Sequence, residues 1–259
     1  MVRYFINSMK LCIKTKLEYK ASVIINSISQ FLIFFTYYFT VVALFDKFNN
    51  IKGFNLYEIF ICFGVIHFGF AICETFFRGI DRFEDRIISG SLDRFLVRPK
   101  NVLLQVLVSE VDIIKVFKAL QALIIIGVGI VKLKMQLDVL KVLILIFMIL
   151  SSVLVFLGLF IFVASYCFIT VEGLEVKNLF TDGGKYLAEY PISIYKKGIV
   201  FFFTFIIPYG FVNYYPLLFF LGRTTNKLYI LSPFVTIIFV GLSVLVFNRG
   251  LKKYTSTGS

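Results

Sequence analysis

The residues able to do chemistry in this chain are few and poorly spaced for it. One histidine, His67, and four cysteines, Cys12, Cys62, Cys73 and Cys167, are scattered with no paired spacing. A zinc site wants four clustered nitrogen and sulfur ligands, or three with an open position, so this set does not read as a metal centre. Cys62, Cys73 and Cys167 fall in apolar runs, where a thiol behaves as a small hydrophobe. Gly183-Gly184-Lys185-Tyr186 lacks both the glycine spacing and the hydroxyl of a nucleotide-phosphate loop. The carboxylates Glu172, Glu175, Asp182 and Glu189 share one polar stretch, but their spacing does not gather them on one helical face. No histidine or cysteine stands near them in sequence, which argues against acid–base work. Glu74 and Arg78, at i,i+4 in the favourable order, read as a local ion pair; a transport-coupling carboxylate is the sharper reading. The expectation is a non-catalytic chain that binds no cofactor.

The surroundings of these residues explain their scarcity. Of 259 residues, 59% are hydrophobic, 18% aromatic and only 16% charged, with mean hydropathy +0.90. A soluble domain needs more charge at its surface. The apolar residues also stand in blocks long enough to cross a bilayer core of about 30 Å as helices. In such a chain the net charge of +12 marks cytoplasmic loops and anionic lipid headgroups, not nucleic acid.

The expected fold is an all-α membrane protein with six transmembrane helices. Residues 1–20 form an amphipathic interfacial helix: Val2, Phe5, Ile6, Met9, Cys12, Ile13 and Leu17 share a face opposite Arg3, Asn7, Lys10 and Lys14. This stretch lacks the apolar run and cleavage site of a signal peptide. Membrane segments are expected at 23–45, 57–77, 115–131, 139–170, 199–221 and 228–247. Lys115 and Lys118 are read as snorkelling to the headgroups, with Glu110 and Asp112 on a cytoplasmic extension of the same helix. Val171–Lys197 reads as a cytoplasmic loop, punctuated by Gly173, Gly183, Gly184 and Pro191. With the N-terminus inside, twenty Lys and Arg fall in cytoplasmic segments and seven outside, so both termini are expected in the cytoplasm.

Two segments invite function. In 78–100, Ile80, Phe83 and Ile87 form an apolar stripe among Asp81, Arg82, Glu84, Asp85 and Arg86. A short helix stopped at Ser89-Gly90 is expected, then a second, Leu92–Val97, capped by Ser91 and ended by Pro99. Such a helix suits docking in a protein groove, or lies as a lipid-touching loop helix. In the fifth apolar block, Pro208, Tyr209, Gly210, Asn213, Tyr214 and Pro216 cannot continue one straight lipid-facing helix. The block either breaks and turns back as a re-entrant helix or kinks at proline.

With these residues in view, the chain resembles the ABC-2 type exporter permeases, in the branch of small bacterial permeases often encoded as a pair beside one ATPase. The resemblance covers essentially the whole chain. It rests on Gly90-Ser91-Leu92-Asp93, Leu96-Val97-Arg98-Pro99, Tyr190-Pro191-Ile192-Ser193-Ile194-Tyr195, the run Pro208–Pro216 and the terminal Tyr254-Thr255-Ser256-Thr257-Gly258-Ser259. It implies a half-transporter facing a second permease chain, identical or paralogous. Two copies of a cytoplasmic ATPase would carry the ATP and magnesium. Asp81, Arg82, Phe83, Glu84, Arg86 and Ile87 then match the family's coupling helix, and Val171–Lys197 adds a second contact. Spans one, two and five would line the dimer interface and substrate path, with Pro208, Tyr209, Asn213, Tyr214 and Pro216 as outer gate. The basic outer loop with Lys132, Lys134 and Lys141 departs from the pattern. The competing readings are a non-ABC channel, a secondary carrier or an assembly factor.

Overall fold

The computed structural model describes residues 2–48, 50–170 and 178–255. About 80% of it is helical; among the described residues the only β feature is an isolated bridge between Ile51 and Phe54. Five helical stretches are long and apolar enough to cross a membrane, and a sharply bent pair of helices raises the number to six if it counts as one span.

Helix α1 (Val2–Leu17) leads into α2 (Lys20–Lys47), whose described side chains are mostly exposed, with Val41 and Phe45 buried near its end. Helix α3 (Leu56–Phe76) is the axis of the molecule. A capping box starts it: the Asn55 side chain accepts from the Glu58 backbone N–H at 3.0 Å, and Glu58 Oε2 accepts from the Asn55 N–H at 2.9 Å. Its 21 residues rise ~31 Å, enough to span a bilayer core.

Short helices α4 (Arg78–Asp81), α5 (Phe83–Ile88), α6 (Asp93–Leu96) and α7 (Val102–Leu107) follow. A 3-10 turn, Ile113–Lys115, opens α8 (Val116–Lys132), and α9 runs over Val139–Thr170. The expected continuous helix through Glu110 and Asp112 is absent. The chain leaves α7 at Val108, and the Asp112 N–H donates to the Thr75 carbonyl of α3 at 2.8 Å.

Close approach of α3 to its neighbours needs residues without side chains. A Cβ on Gly69 would stand 2.5 Å from the Ser152 carbonyl carbon of α9, and one on Gly64 2.9 Å from the Ala122 oxygen of α8. Small residues at helix contacts are the usual way membrane helices pack without a hydrophobic drive between them. Around α3, one apolar cluster joins Phe70, Phe83, Phe156, Tyr209 and Phe247. A second, at the other end, joins Phe54, Phe60, Ile126, Leu217 and Phe220.

After α9 comes a π-helical turn, Leu179–Gly183, then α10 (Gly184–Ala188). Next are α11 (Lys197–Phe201), continued to Ile206, and α12 (Tyr215–Phe220), preceded by a π-turn from Gly210. The two stretches Lys197–Ile206 and Gly210–Phe220 meet at 84°. Helices α13 (Leu228–Leu231) and α14 (Val235–Lys253) close the chain, with Ser232–Phe234 between them.

Residues 178–195 do not behave as the loop their composition suggests. They run beside the first two thirds of α3: Lys185 lies over Phe70, Glu189 meets His67, and the Ser193 carbonyl accepts from Lys52 Nζ at 3.2 Å in the α2–α3 loop. Gly183 and Gly184 are not loop punctuation but part of this helical run; Gly184 is small because the Tyr209 ring lies against it, 2.9 Å from where a Cβ would be. Glu172 and Glu175 lie outside the described residues.

Candidate functional site

The segment between α3 and α8 opens with two short helices, α4 and α5, broken at Arg82, whose backbone leaves the helical region (φ −100°, ψ 31°). Gly90, at φ +64°, ends α5 in the left-handed conformation that glycine adopts without strain. Ser91 does not cap α6; its hydroxyl meets Ser89 Oγ at 2.9 Å, and α6 begins at Asp93 with no side-chain cap.

The apolar stripe is turned inward, which corrects the expectation that it enters a partner's groove. Ile80, Phe83 and Ile87 are each 1% exposed. Phe83 packs edge-on against Phe168 of α9 at 5.1 Å and Phe247 of α14 at 5.4 Å between ring centroids. Arg86 points the same way: its Nη2 donates to Ser109 Oγ at 2.7 Å and pairs with Glu110 at 2.9 Å. Burial pulls its guanidinium below the ordinary arginine value, and Glu110 and Asp85 oppose that shift. Asp81 is buried and paired with Arg78, and Glu84 is half-buried. Of the expected coupling residues, only Arg82 is well exposed.

The open face consists of Arg82, Asp85, Ile88 and Ser89, continued by Arg94 and residues 96–100. Val97 is 83% exposed. This turn is held rigidly: Gln105 Nε2 donates to the Phe95 and Lys100 carbonyls at 3.1 and 3.0 Å. Arg86 and Arg98 both lie over the Phe95 ring.

A polar chain runs through the interior above this platform. Glu74 meets not only Arg78 at 3.6 Å but also Lys115 at 3.4 Å and Lys118 at 3.3 Å. The lysines therefore turn to a buried carboxylate instead of snorkelling outward. Lys185, 4% exposed, sits among Phe70 and Tyr186 at 4.5 Å each and Tyr37 at 5.6 Å, with Asp182 3.3 Å away. His67 Nε2 and Glu189 Oε1 are 2.8 Å apart, both buried, with the imidazole stacked on Phe63. The Tyr37 and Tyr186 hydroxyls meet at 2.6 Å, joining α2 to this segment. Glu189 thus has a histidine partner after all, 122 positions away. Among the described residues no group of His, Cys, Asp and Glu could hold a metal ion.

The Pro208–Pro216 residues come together at the apex of the bent pair. Pro208 and Tyr209 are buried there. The Tyr209 hydroxyl donates to the Phe180 carbonyl at 3.3 Å, and its ring lies 5.6 Å from Phe156 at mid-helix on α9. Asn213 Nδ2 donates to the Cys62 and Ala188 carbonyls at 3.3 and 3.0 Å, tying the apex to α3 and to the Glu189 segment. Pro216 lies where the π-turn from Gly210 passes into α12, and Tyr214 reaches the Phe54 ring. Beyond α12, Arg223 binds Glu58 at 2.6 Å and the Gly53 carbonyl at 2.8 Å. Lys52 already holds Ser193 ahead of α11, so both ends of the bent pair return to the α2–α3 loop.

Comparison with known proteins decides what this scaffold is. The sequence matches the family described as ABC-2 family transporter protein over residues 31–258. The chain belongs to the ABC-2 transporter family. No curated protein and no solved structure matches it. This ABC-2 permease is a multi-pass membrane protein, which in bacteria means the inner membrane. Its family is generally the non-catalytic membrane component of the transporter.

Sequence reasoning about the permease missed the His67–Glu189 pair and the role of Lys185. A signal existed: a lone histidine inside an apolar span needs a polar partner. Choosing among the available carboxylates needed the fold.

Proposed function

We propose that this ABC-2 permease is one half of an exporter, driven by a separate cytoplasmic ATPase that docks on the outward face of α5 and α6. The observation that carries the proposal is the two-sidedness of α5. Phe83 locks its inner face to α9 and α14 and Ile87 of the same helix is buried, while Arg82, Asp85, Ile88 and the Leu96–Lys100 turn stay bare. A load applied to the bare face passes through Phe83 directly into two spans. Closure of an ATPase pair on ATP and magnesium, both held by the partner, then moves α9 and α14 as a rigid unit.

In this reading the α4–α7 end faces the cytoplasm and residues 178–195 are the fifth crossing. The bent pair Lys197–Phe220 is then a re-entrant hairpin entered and left from outside. Moving Lys196 and Lys197 outward and Lys185 into the span still leaves seventeen basic residues inside against nine outside. The Tyr209 apex, rooted at mid-depth by Asn213, serves as the gate above the path. The bare face of α2, with exposed Phe31, Leu32, Phe35 and Phe39, supports a second permease chain, identical or paralogous, as its partner in the bilayer. Two ATPase copies then serve the pair.

The test is to purify the tagged chain from its native membrane and identify every chain that comes with it. A nucleotide-hydrolysing ATPase in near-equal amount is the expected result. A preparation free of any ATPase, from membranes where transport is active, sinks the proposal.

A further inference from the structure

Beside α3, two rows of side chains face each other. Glu74, Phe70 and His67 stand at steps of four and three along α3 and share one of its faces. Asp182, Lys185 and Glu189, at steps of three and four, line the segment that runs the opposite way beside it. The rows meet where Lys185 Nζ lies 4.5 Å from the Phe70 ring and Glu189 Oε1 lies 2.8 Å from His67 Nε2. One end reaches water: Asp182, on Lys185 at 3.3 Å, is half-exposed, and Arg78, on Glu74 at 3.6 Å, is partly exposed. The other end is closed. His67 and Glu189 are both buried, His67 at mid-helix, and Phe63 stacks on the imidazole at 4.1 Å one turn further on.

We propose that the His67–Glu189 contact is a proton-binding site in mid-membrane, loaded from the water-facing end of these rows. A hydronium ion gives its proton to the imidazole and leaves as water. The product is an imidazolium–carboxylate pair, so the contact passes from one net negative charge to none. At this depth a carboxylate beside a neutral ring is costly, and the added proton offsets that cost. The surrounding charges are mixed, which keeps the proton exchangeable. Lys118 of α8 and Lys185 oppose it; Glu74 and Asp182 favour it, with Lys115 and Arg78 further off on Glu74. From α2 the Tyr37 phenol faces the ring, 6.0 Å away between centroids and hydrogen-bonded to Tyr186. The Tyr190 and Tyr195 phenols stand near Glu189. From the bent pair, Asn213 Nδ2 donates to the carbonyl of Ala188, the residue before Glu189. Through that bond, proton occupancy bears on the Tyr209 apex.

His67 is the only histidine of the chain, so isotope-labelled histidine reports this site alone. The full-length permease, without any ATPase, is reconstituted in bilayers and followed by solid-state NMR. The imidazole signal should convert to imidazolium on acidification, with a midpoint between about pH 5 and 9. Glu189→Gln should move the midpoint down by about one pH unit, a tenfold loss of proton affinity, and Lys185→Met should move it up. A purely structural contact would not follow the sign of the charge removed. In sealed vesicles of one orientation, the signal should follow the pH on the side from which Arg98→Cys is labelled. A histidine signal unchanged over that range, or both substitutions shifting it the same way, overturns the proposal, as does a signal that follows the opposite side. That Arg98 lies in the cytoplasm rests on the topology proposed above, whereas the titration does not. Arg98→Cys labelled from outside, with the titration following that side, would support the site and overturn the topology alone.

Discussion

Glu58 of α3 and Arg223, just after α12, are joined at 2.6 Å, with the guanidinium lying over the Phe54 ring at 4.2 Å. Glu58 also closes the capping box of α3. One carboxylate therefore starts the central span and anchors the end of the bent pair. Arg223→Gln keeps the capping box and loses the clasp. It should loosen residues 210–223, seen as faster hydrogen exchange there, with exchange at residues 60–76 unchanged.

In the proposed topology residues 178–195 are a crossing, with Ser193 held by Lys52 of the α2–α3 loop at its outer end. In a chain whose four cysteines are replaced, Lys196→Cys should react with a membrane-impermeant maleimide from outside, and Arg98→Cys only after permeabilisation. Labelling of both positions from the same side would place the Glu189 segment in the cytoplasm and refute the crossing.

Phe83 is a structural residue that fixes α5 to α9 and α14. Phe83→Ala removes a fully buried ring between Phe168 and Phe247 and should destabilise the permease by about 3–5 kcal/mol. Thermal unfolding in nanodiscs measures it. A melting temperature equal to wild type would mean that the ring is not packed as described.

The His67–Glu189 contact is buried on both sides, so removing one partner strands the other. Glu189→Ala alone should cost ~1–3 kcal/mol. A double-mutant cycle with His67→Ala should return a coupling of about 1–2 kcal/mol, toward the upper end for polar contacts between membrane helices. Additive single effects would show that the pair contributes nothing.

Gly69 tests the helix packing. Gly69→Ala drives a methyl group into the Ser152 backbone and should lower the melting temperature. Gly127→Ala, with nothing within 4 Å of the added Cβ, should leave it unchanged or slightly raised. Equal effects from the two would contradict the close contact of α3 with α9.

Much of this fold is written in local sequence. Apolar blocks give the long helices, Gly90 marks the end of α5, and the Pro208–Pro216 run announces a break, because these signals act within a few residues. The direction in which an amphipathic helix turns its stripe is not local. Ile80, Phe83 and Ile87 suit a partner's groove and their own chain equally; only the placement of Phe168 and Phe247 decides. Residues 178–195 misled for the opposite reason. Their glycines and charges look like loop, yet Gly184 makes room for Tyr209, and Lys185 and Glu189 find their partners on α2 and α3. A polar residue satisfied at long range carries no local sign of it.

The central claim, that the bare face of α5 and α6 carries the ATPase, is tested most directly with Ile88→Asp and Val97→Asp together. Both side chains are exposed, so the double variant should insert and melt like wild type. ATPase co-purifying with the tagged permease should fall at least about tenfold, as expected when buried apolar contacts are replaced by charge. Undiminished ATPase in the pull-down, with ATP turnover still stimulated by the permease, would contradict the account.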